Sequence, residues 1–321
     1  TYRRSLEIPA ESLDGRRHIL YFDGAMSEAQ VLVNGEKVCF WPYGYNSFWC
    51  DVTGNLKAGT NELAVLLENR PQSSRWYPGA GLYRKVRHIT LPQVHVPVWG
   101  TYVTTPYIGE DHAVVRVRTK VNGGADGAAV TLKTRIDDAE GKVITEETDT
   151  RQIHKGEVEQ NITVSEPELW SPENPTLYFA ETEVYTGGSI DTDWNMERPR
   201  ISISHGEELQ DKVSTRFGFR TIEIRPDEGF LLNGQVRKFR GVCLHHDLGP
   251  LGAAINKAAI RRQLTMLKDM GCDAIRTSHN MPAEELIELC DEMGFMVMCE
   301  NFDEWDIAKC ENGYHRFFNK D

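Results

Sequence analysis

Two short stretches, "DMG" ending at Gly271 and "EMG" ending at Gly294, stand 23 residues apart, each followed by an apolar run. This repeat constrains the fold more than any other feature of the chain. Before Gly271, "NKAAIRRQLTMLKDMG" places Ile260, Leu264, Leu267 and Met270 on one helical face, with the glycine as C-terminal stop. Before Gly294, "PAEELIELCDEMG" predicts a second helix, with Pro282 at its first position and Glu284 and Glu285 at the positive end of its dipole. The runs "VRKFRGVCLH", "CDAIRTS" and "FMVMCE" read as strands around these helices. Strand–helix–strand–helix–strand means parallel strands joined by right-handed crossovers.

Parallel strands all point one way, and ligand chemistry collects beyond their carboxyl ends. The three runs end in polar groups: His245, His246 and Asp247 after the first, Arg276, Ser278, His279 and Asn280 after the second, and Glu300, Asn301, Asp303 and Glu304 after the third. The opposite loops, "MGCD" and "MGFM", are short and chemically bland. Each residue also has a duller reading. His245 or His246 could cap a strand, Asn280 could cap the segment before Pro282, and Glu300 and Asp303 could be solvated loop acids. An internal Arg276 would need an acidic partner, so a structural ion pair competes with a catalytic role.

The rest of the chain has a different grammar. Residues 1–97 are short β-rich runs separated by Gly and Asn turns, with a hairpin expected at Asn34-Gly35 in "VNGEKV". Residues 98–222 alternate apolar and polar positions in "AVVRVRTKV", "AVTLKTRI", "EQNITV" and "LYFAETEVY", as half-buried antiparallel strands do. Their spacing fits an immunoglobulin-like sandwich. Seven cysteines, an odd number without a C-x-x-C pair, lie mostly in apolar runs and are expected to be reduced core thiols. The net charge of −12, with no block of Lys and Arg, argues against nucleic acid. No apolar run approaches the roughly 20 residues that cross a bilayer, so no membrane is expected. "HHDLGPLGAA" lacks the glycine pattern of a dinucleotide-binding turn.

Longer stretches carry a resemblance. "FGFRTIEI", "FLLNGQVRKFRGVCLHHD" and "AIRTSHNMPAEELIELCDEMGFMVMCENFDEW" resemble family 2 of the glycoside hydrolases, the β-galactosidase and β-glucuronidase relatives. "SSRWYPGAGLYRKV" is similar to the signature closing that family's sugar-binding sandwich, and "LWSPENPTLY" to its immunoglobulin-like domain. The resemblance implies a multidomain fold. A jelly-roll, galactose-binding-like β-sandwich (1–97, whose first strands could be missing) precedes an immunoglobulin-like β-sandwich (98–222). An incomplete (β/α)8 TIM barrel (223–321) limited to its first three β/α units follows. It further implies a retaining exo-β-glycosidase acting on terminal non-reducing sugars, with acid/base and nucleophile glutamates about 5–5.5 Å apart.

Carried over by position, His245 matches a sugar-contacting histidine, and His279 one that helps stabilise the transition state. Arg276 matches the arginine that orients the nucleophile and lowers its pKa. His246, Asp247, Asn280, Glu300, Asp303, Arg75 and Trp76 are further candidates for substrate binding. Glu304 falls where galactosidase relatives place a magnesium ligand, but Asp306 stands where those relatives have a histidine, so no cofactor is required and the metal is an open alternative. Cys243 and Cys299 replace a common Asn and Asp, and Ser73, Ser74 and Arg75 occupy the region where relatives often carry an acid before the Trp. No Asn–Glu pair ends a later strand, so the chain is expected to be a fragment without its two catalytic glutamates. β-Galactosidase leads among the expected activities, with β-glucuronidase and β-mannosidase as alternatives and a non-catalytic carbohydrate-binding module as the reading from another class. A carbohydrate substrate and a homo-oligomer are the expected partners. The compartment stays open between bacterial periplasm and cytoplasm.

Overall fold

A computed structural model describes residues 1–76, 79–193 and 200–318. The chain forms two units, one of residues 1–90 with 239–321 and one of residues 91–238.

The first unit begins with a β-sandwich. One sheet orders its strands Tyr2–Ile8, Gly59–Leu66, Ala29–Val33, Glu36–Trp41, and the facing sheet Phe48–Asp51, Arg16–Phe22, Val86–Pro92. Alternate residues Ala29, Val31 and Val33 point inward and meet Leu20, Phe22, Phe48 and Val65 in the core. The expected hairpin is present: Val33 pairs with Glu36, and Asn34 and Gly35 take φ of 53° and 85°, the left-handed pair that matches the twist of the flanking strands. Arg16–Phe22 breaks the alternation. His18 to Phe22 are all buried, because one face packs in the sandwich while on the other the Tyr21 hydroxyl donates to Glu284 of the helical segment.

Cysteine pairing differs from the expectation of reduced thiols. Cys39 and Cys50 lie on strands of opposite sheets, 6.1 Å apart at Cα, and are joined by a disulfide. Cys290 is a buried thiol, whereas Cys243 and Cys299 are exposed.

The unit continues with three parallel strands, Gly241–Leu244, Ala274–Thr277 and Met296–Met298, in that order in one sheet. Two helices cross over between them, α1 (Lys257–Asp269) and α2 (Glu284–Met293). Ile260 and Leu264 of α1 and Leu289 and Cys290 of α2 pack with Ile275 and Phe295. Asn256 caps α1 by accepting the Ala259 N–H at 3.0 Å. Gly294 closes α2 in the left-handed region, φ 72°. Gly241 lies so near the second strand that an added Cβ would sit 2.2 Å from the Ala274 carbonyl oxygen.

Two helix details depart from the sequence pattern. Met270 is 73% exposed, since it follows the last turn and lies about 80° around the helix from Ile260 at 100° per residue. Pro282 precedes α2 instead of opening it, because Ala283 is extended and serves as N-cap.

The second unit is a seven-stranded sandwich of four strands (Val143–Gln152, Ala129–Asp138, Tyr178–Thr186, Glu208–Phe217) facing three (Glu157–Ser165, His112–Lys120, Thr101–Ile108). Val115, Val117, Ile136, Ile162 and Ala180 fill its centre. Thr134, Thr182 and Gln160 are buried polar groups that satisfy one another, Thr134 donating to Gln160 at 2.7 Å. A small antiparallel sheet, Ile222–Arg225, Gly229–Leu232 and Gln235–Val236, ends this unit.

Candidate functional site

The loops after the three parallel strands bring several of the sequence candidates together. Arg276, near the end of the second strand, donates through Nε to Glu300, which follows the third. The His279 ring meets the same carboxylate, Nδ1 to Oε2 at 2.8 Å. A carboxylate only accepts, so Nδ1 carries the proton in this pair. The Thr277 hydroxyl accepts the Glu300 N–H at 3.0 Å and fixes the backbone there. Burial alone would raise the Glu300 pKa; the hydrogen bonds from His279 and Arg276 outweigh it and hold the carboxyl below its usual range. The structural ion pair that the sequence left open for Arg276 is therefore present, and Glu300 is the acid that completes it. His279 follows a cis Ser278–His279 peptide.

His245, after the first strand, stands edge-on to His279 with ring centroids 5.6 Å apart. Its other neighbour is Trp76 of the sandwich loop, stacked on it at 4.0 Å and 12°. Burial first, and then the His279 charge, lower the His245 pKa. Trp76, His245, His279, Arg276 and Glu300 thus form one connected group. Tyr77 and Pro78, of the same loop signature, lie outside the described residues.

The other candidates have different positions. His246 points the opposite way from the group, against Tyr45 at 4.8 Å between rings and toward the buried Arg84 guanidinium, 3.4 Å from Nδ1. Burial, reinforced by Arg84, pushes its pKa down to about 3. Asn280 is buried and accepts from the Tyr43 hydroxyl. Asp247 is exposed and accepts the Gly249 N–H at 2.8 Å in a local turn. Asp303 is buried and gripped by the Arg75 fork, with Nε at 2.9 Å. Asn280 and Asp303 are thus engaged by side chains of the sandwich, His246 by Arg84 through Nδ1, and Asp247 by a backbone amide of its own turn.

Glu304 does not fit a metal ligand. It is buried, and Oε1 accepts the Lys309 N–H at 2.8 Å and the Cys310 N–H, while Oε2 faces His315 Nδ1 at 2.9 Å. Its oxygens are thus taken by donors, and Asp306 is exposed. Among the described residues no group of three His, Cys, Asp or Glu is arranged to hold a metal ion.

Tyr43 and Arg84 are positioning residues that the sequence reading passed over. Arg84 stands within "GLYRKV", and its Nη1 donates to the Tyr45 carbonyl at 2.7 Å and the Asp23 carbonyl at 3.3 Å. A cation inside an apolar signature is a signal that buried acceptors must surround it.

Two sandwiches followed by parallel β/α units, with polar groups gathered at the strand ends, define a multidomain protein with a partial TIM barrel. The models for glycosyl hydrolases family 2 match along most of it: the sugar-binding domain at residues 1–92, the family 2 domain at 94–196 and the TIM barrel domain at 222–314. The chain belongs to glycosyl hydrolases family 2. It is 40% identical to a β-galactosidase of Bacteroides ovatus over 99% of its own length and 36% of that relative's. It is similar in structure to a β-glycosidase from Bacteroides vulgatus (TM-score 0.88, 29% identity, 99% of this chain and 38% of that one). A β-glucuronidase of Bacteroides uniformis is also similar (TM-score 0.78, 27% identity, 97% and 37%). The chain spans little more than a third of the length of these relatives.

Proposed function

We propose that the protein carrying this chain is a retaining exo-acting β-glycosidase that removes terminal non-reducing β-linked sugars, and that a β-galactoside is its substrate. The observation that carries this reading is the joined group at the strand ends: Arg276, His279 and Glu300 locked by shared hydrogen bonds, with His245 and Trp76 beside them. Retaining hydrolysis uses two carboxyl groups about 5–5.5 Å apart, one as nucleophile and one as acid/base. Both are assigned to residues outside this chain. Within the chain, ionised Glu300 orients the Arg276 guanidinium and the His279 ring. Arg276 then supplies the cation that keeps a neighbouring nucleophilic carboxylate ionised. His279 contacts the sugar and strengthens that contact as charge develops.

The choice of a β-galactoside rests on the β-galactosidase of Bacteroides ovatus, to which the chain is 40% identical over 99% of its length. The test is hydrolysis of nitrophenyl β-galactoside against nitrophenyl β-glucuronide by an active protein that includes this chain. His279→Ala is expected to lower kcat/KM by about 100-fold or more. Near-normal kinetics would remove His279 from the mechanism, and a preference for the glucuronide would overturn the sugar assignment.

A further inference from the structure

We propose that Arg75 and Asp303 form a latch that holds the sandwich loop in place and presents Trp76, not either charged residue, to the substrate. The sequence offers both charged residues as sugar contacts. Asp303 is buried, and Arg75 takes its carboxylate with Nε at 2.9 Å and with Nη2. This planar, two-point grip fixes orientation as well as distance. Lys309 Nζ approaches Oδ1 at 3.4 Å. Burial by itself would raise the Asp303 pKa, but Arg75 and then Lys309 outweigh it and keep the carboxyl ionised below its usual range. An acid gripped in this way has its oxygens turned to the protein.

Further ties run between the same two segments. The Asn312 N–H donates to the Gln72 carbonyl at 3.0 Å, and Asn312 Nδ2 to the Pro71 carbonyl at 2.9 Å. Glu28 accepts from Arg70 Nε at 3.0 Å and from Arg316. The loop from Arg70 to Trp76 has no helix or strand of its own, so these ties fix its position. Segments held by few contacts sit at the low-stability end of a fold. Trp76 directly follows Arg75, and its indole lies flat on His245 at 4.0 Å while remaining 37% exposed. Release of Asp303 would let Trp76 leave His245. The indole offers a flat apolar surface to the C–H face of a pyranoside, so the latch sets how the sugar is seated and leaves the chemistry of bond cleavage unchanged.

The kinetic consequence rests on the glycosidase reading, whereas the latch itself does not, and two measurements separate them. Hydrogen exchange on the chain follows the Asn312 amide, which donates to the Gln72 carbonyl, and the Trp76 amide, which donates to the Ser74 hydroxyl. In Asp303→Asn and in Arg75→Gln, exchange there is expected to rise about tenfold or more while α1 and α2 are unchanged. Arg75 lies on the exposed side of the pair, so Arg75→Gln repeats the test without altering a buried position. Arg75→Lys keeps the charge but not the two-point grip and should fall between. Unchanged exchange in Arg75→Gln would overturn the latch. In an active protein that includes this chain, Asp303→Asn is expected to raise KM about tenfold with kcat within about twofold. The same substitution should have no further effect in a Trp76→Ala background. Equal effects in both backgrounds would show that Asp303 does not act through Trp76, and would overturn the proposal. Absence of any glycosidase activity would overturn the proposed function and leave the exchange result to decide the latch.

Discussion

Acidification is expected to weaken the unit of residues 1–90 and 239–321 through His246, and replacing that histidine should remove the effect. The ring is enclosed by Tyr45 and Arg84, and its pKa falls from an ordinary 6.5 to about 3, burial being the larger cause and the Arg84 charge the next. A proton there would place a second cation beside a buried guanidinium. The unfolded chain binds that proton near the ordinary pKa, while the folded chain refuses it until about pH 3. Stability is therefore present above pH 6.5 and is lost as the pH falls from there toward 3. At about pH 5 the unfolded state gains a factor of about 30 from this one group, or about 2 kcal/mol relative to about pH 7.5.

Asp23 works in the opposite direction. Burial, only partly offset by Arg87, raises its pKa from 3.8 to about 6, so acidification restores some stability there. Subtracting the variant's change between the two pH values from the parent's cancels that contribution. His246→Gln retains an acceptor for Arg84 but cannot titrate. Urea unfolding followed by near-ultraviolet circular dichroism, at constant ionic strength, should show the parent losing about 2 kcal/mol more than the variant between about pH 7.5 and about pH 5. Equal losses in the two proteins would mean that His246 is solvated and titrates as it does in the unfolded chain. The buried placement would then be wrong.

Two further outcomes follow from the same packing. Gly294→Ala puts a Cβ on a residue at φ 72° and ψ 52°, and should cost about 1 kcal/mol in urea unfolding; no loss would mean that α2 does not end in the left-handed conformation. Glu304→Gln turns an amide NH₂ toward donors now met by a carboxylate, the Lys309 and Cys310 N–H groups and His315 Nδ1. It should cost about 2 kcal/mol, with added magnesium shifting the urea midpoint of neither protein. A magnesium-dependent shift in the parent alone would restore Glu304 as a metal ligand.

The parts legible in the sequence are those set by neighbours a few residues away. The Asn34-Gly35 hairpin, the glycine stops at Gly271 and Gly294 and the polar strand ends follow from local conformation and periodicity. Side-chain partners were less legible, because they depend on which elements meet. Arg75 and Asp303 are 228 positions apart, and Arg84 and His246 are 162. The disulfide follows the same rule: Cys39 and Cys50 sit in separate apolar runs, and only the approach of two sheets joins them.

Adjacent candidates divided between two surroundings. His245 and His246 are consecutive residues in the bend just after the first parallel strand, and one reaches Trp76 and His279 while the other turns toward Arg84 and Tyr45. The Arg276–Glu300 pair is the reverse case, where strand register contains the answer. Arg276 stands beside Met298 on the adjacent parallel strand, and Glu300 follows two residues beyond the end of that strand. A cation on one strand and an acid two residues beyond its neighbour are therefore in reach as soon as the strands are known to be parallel. The chemistry at the tips of these strands is thus a consequence of the parallel register, and the loop that carries Trp76 is fastened to them by charges read first as contacts for the sugar.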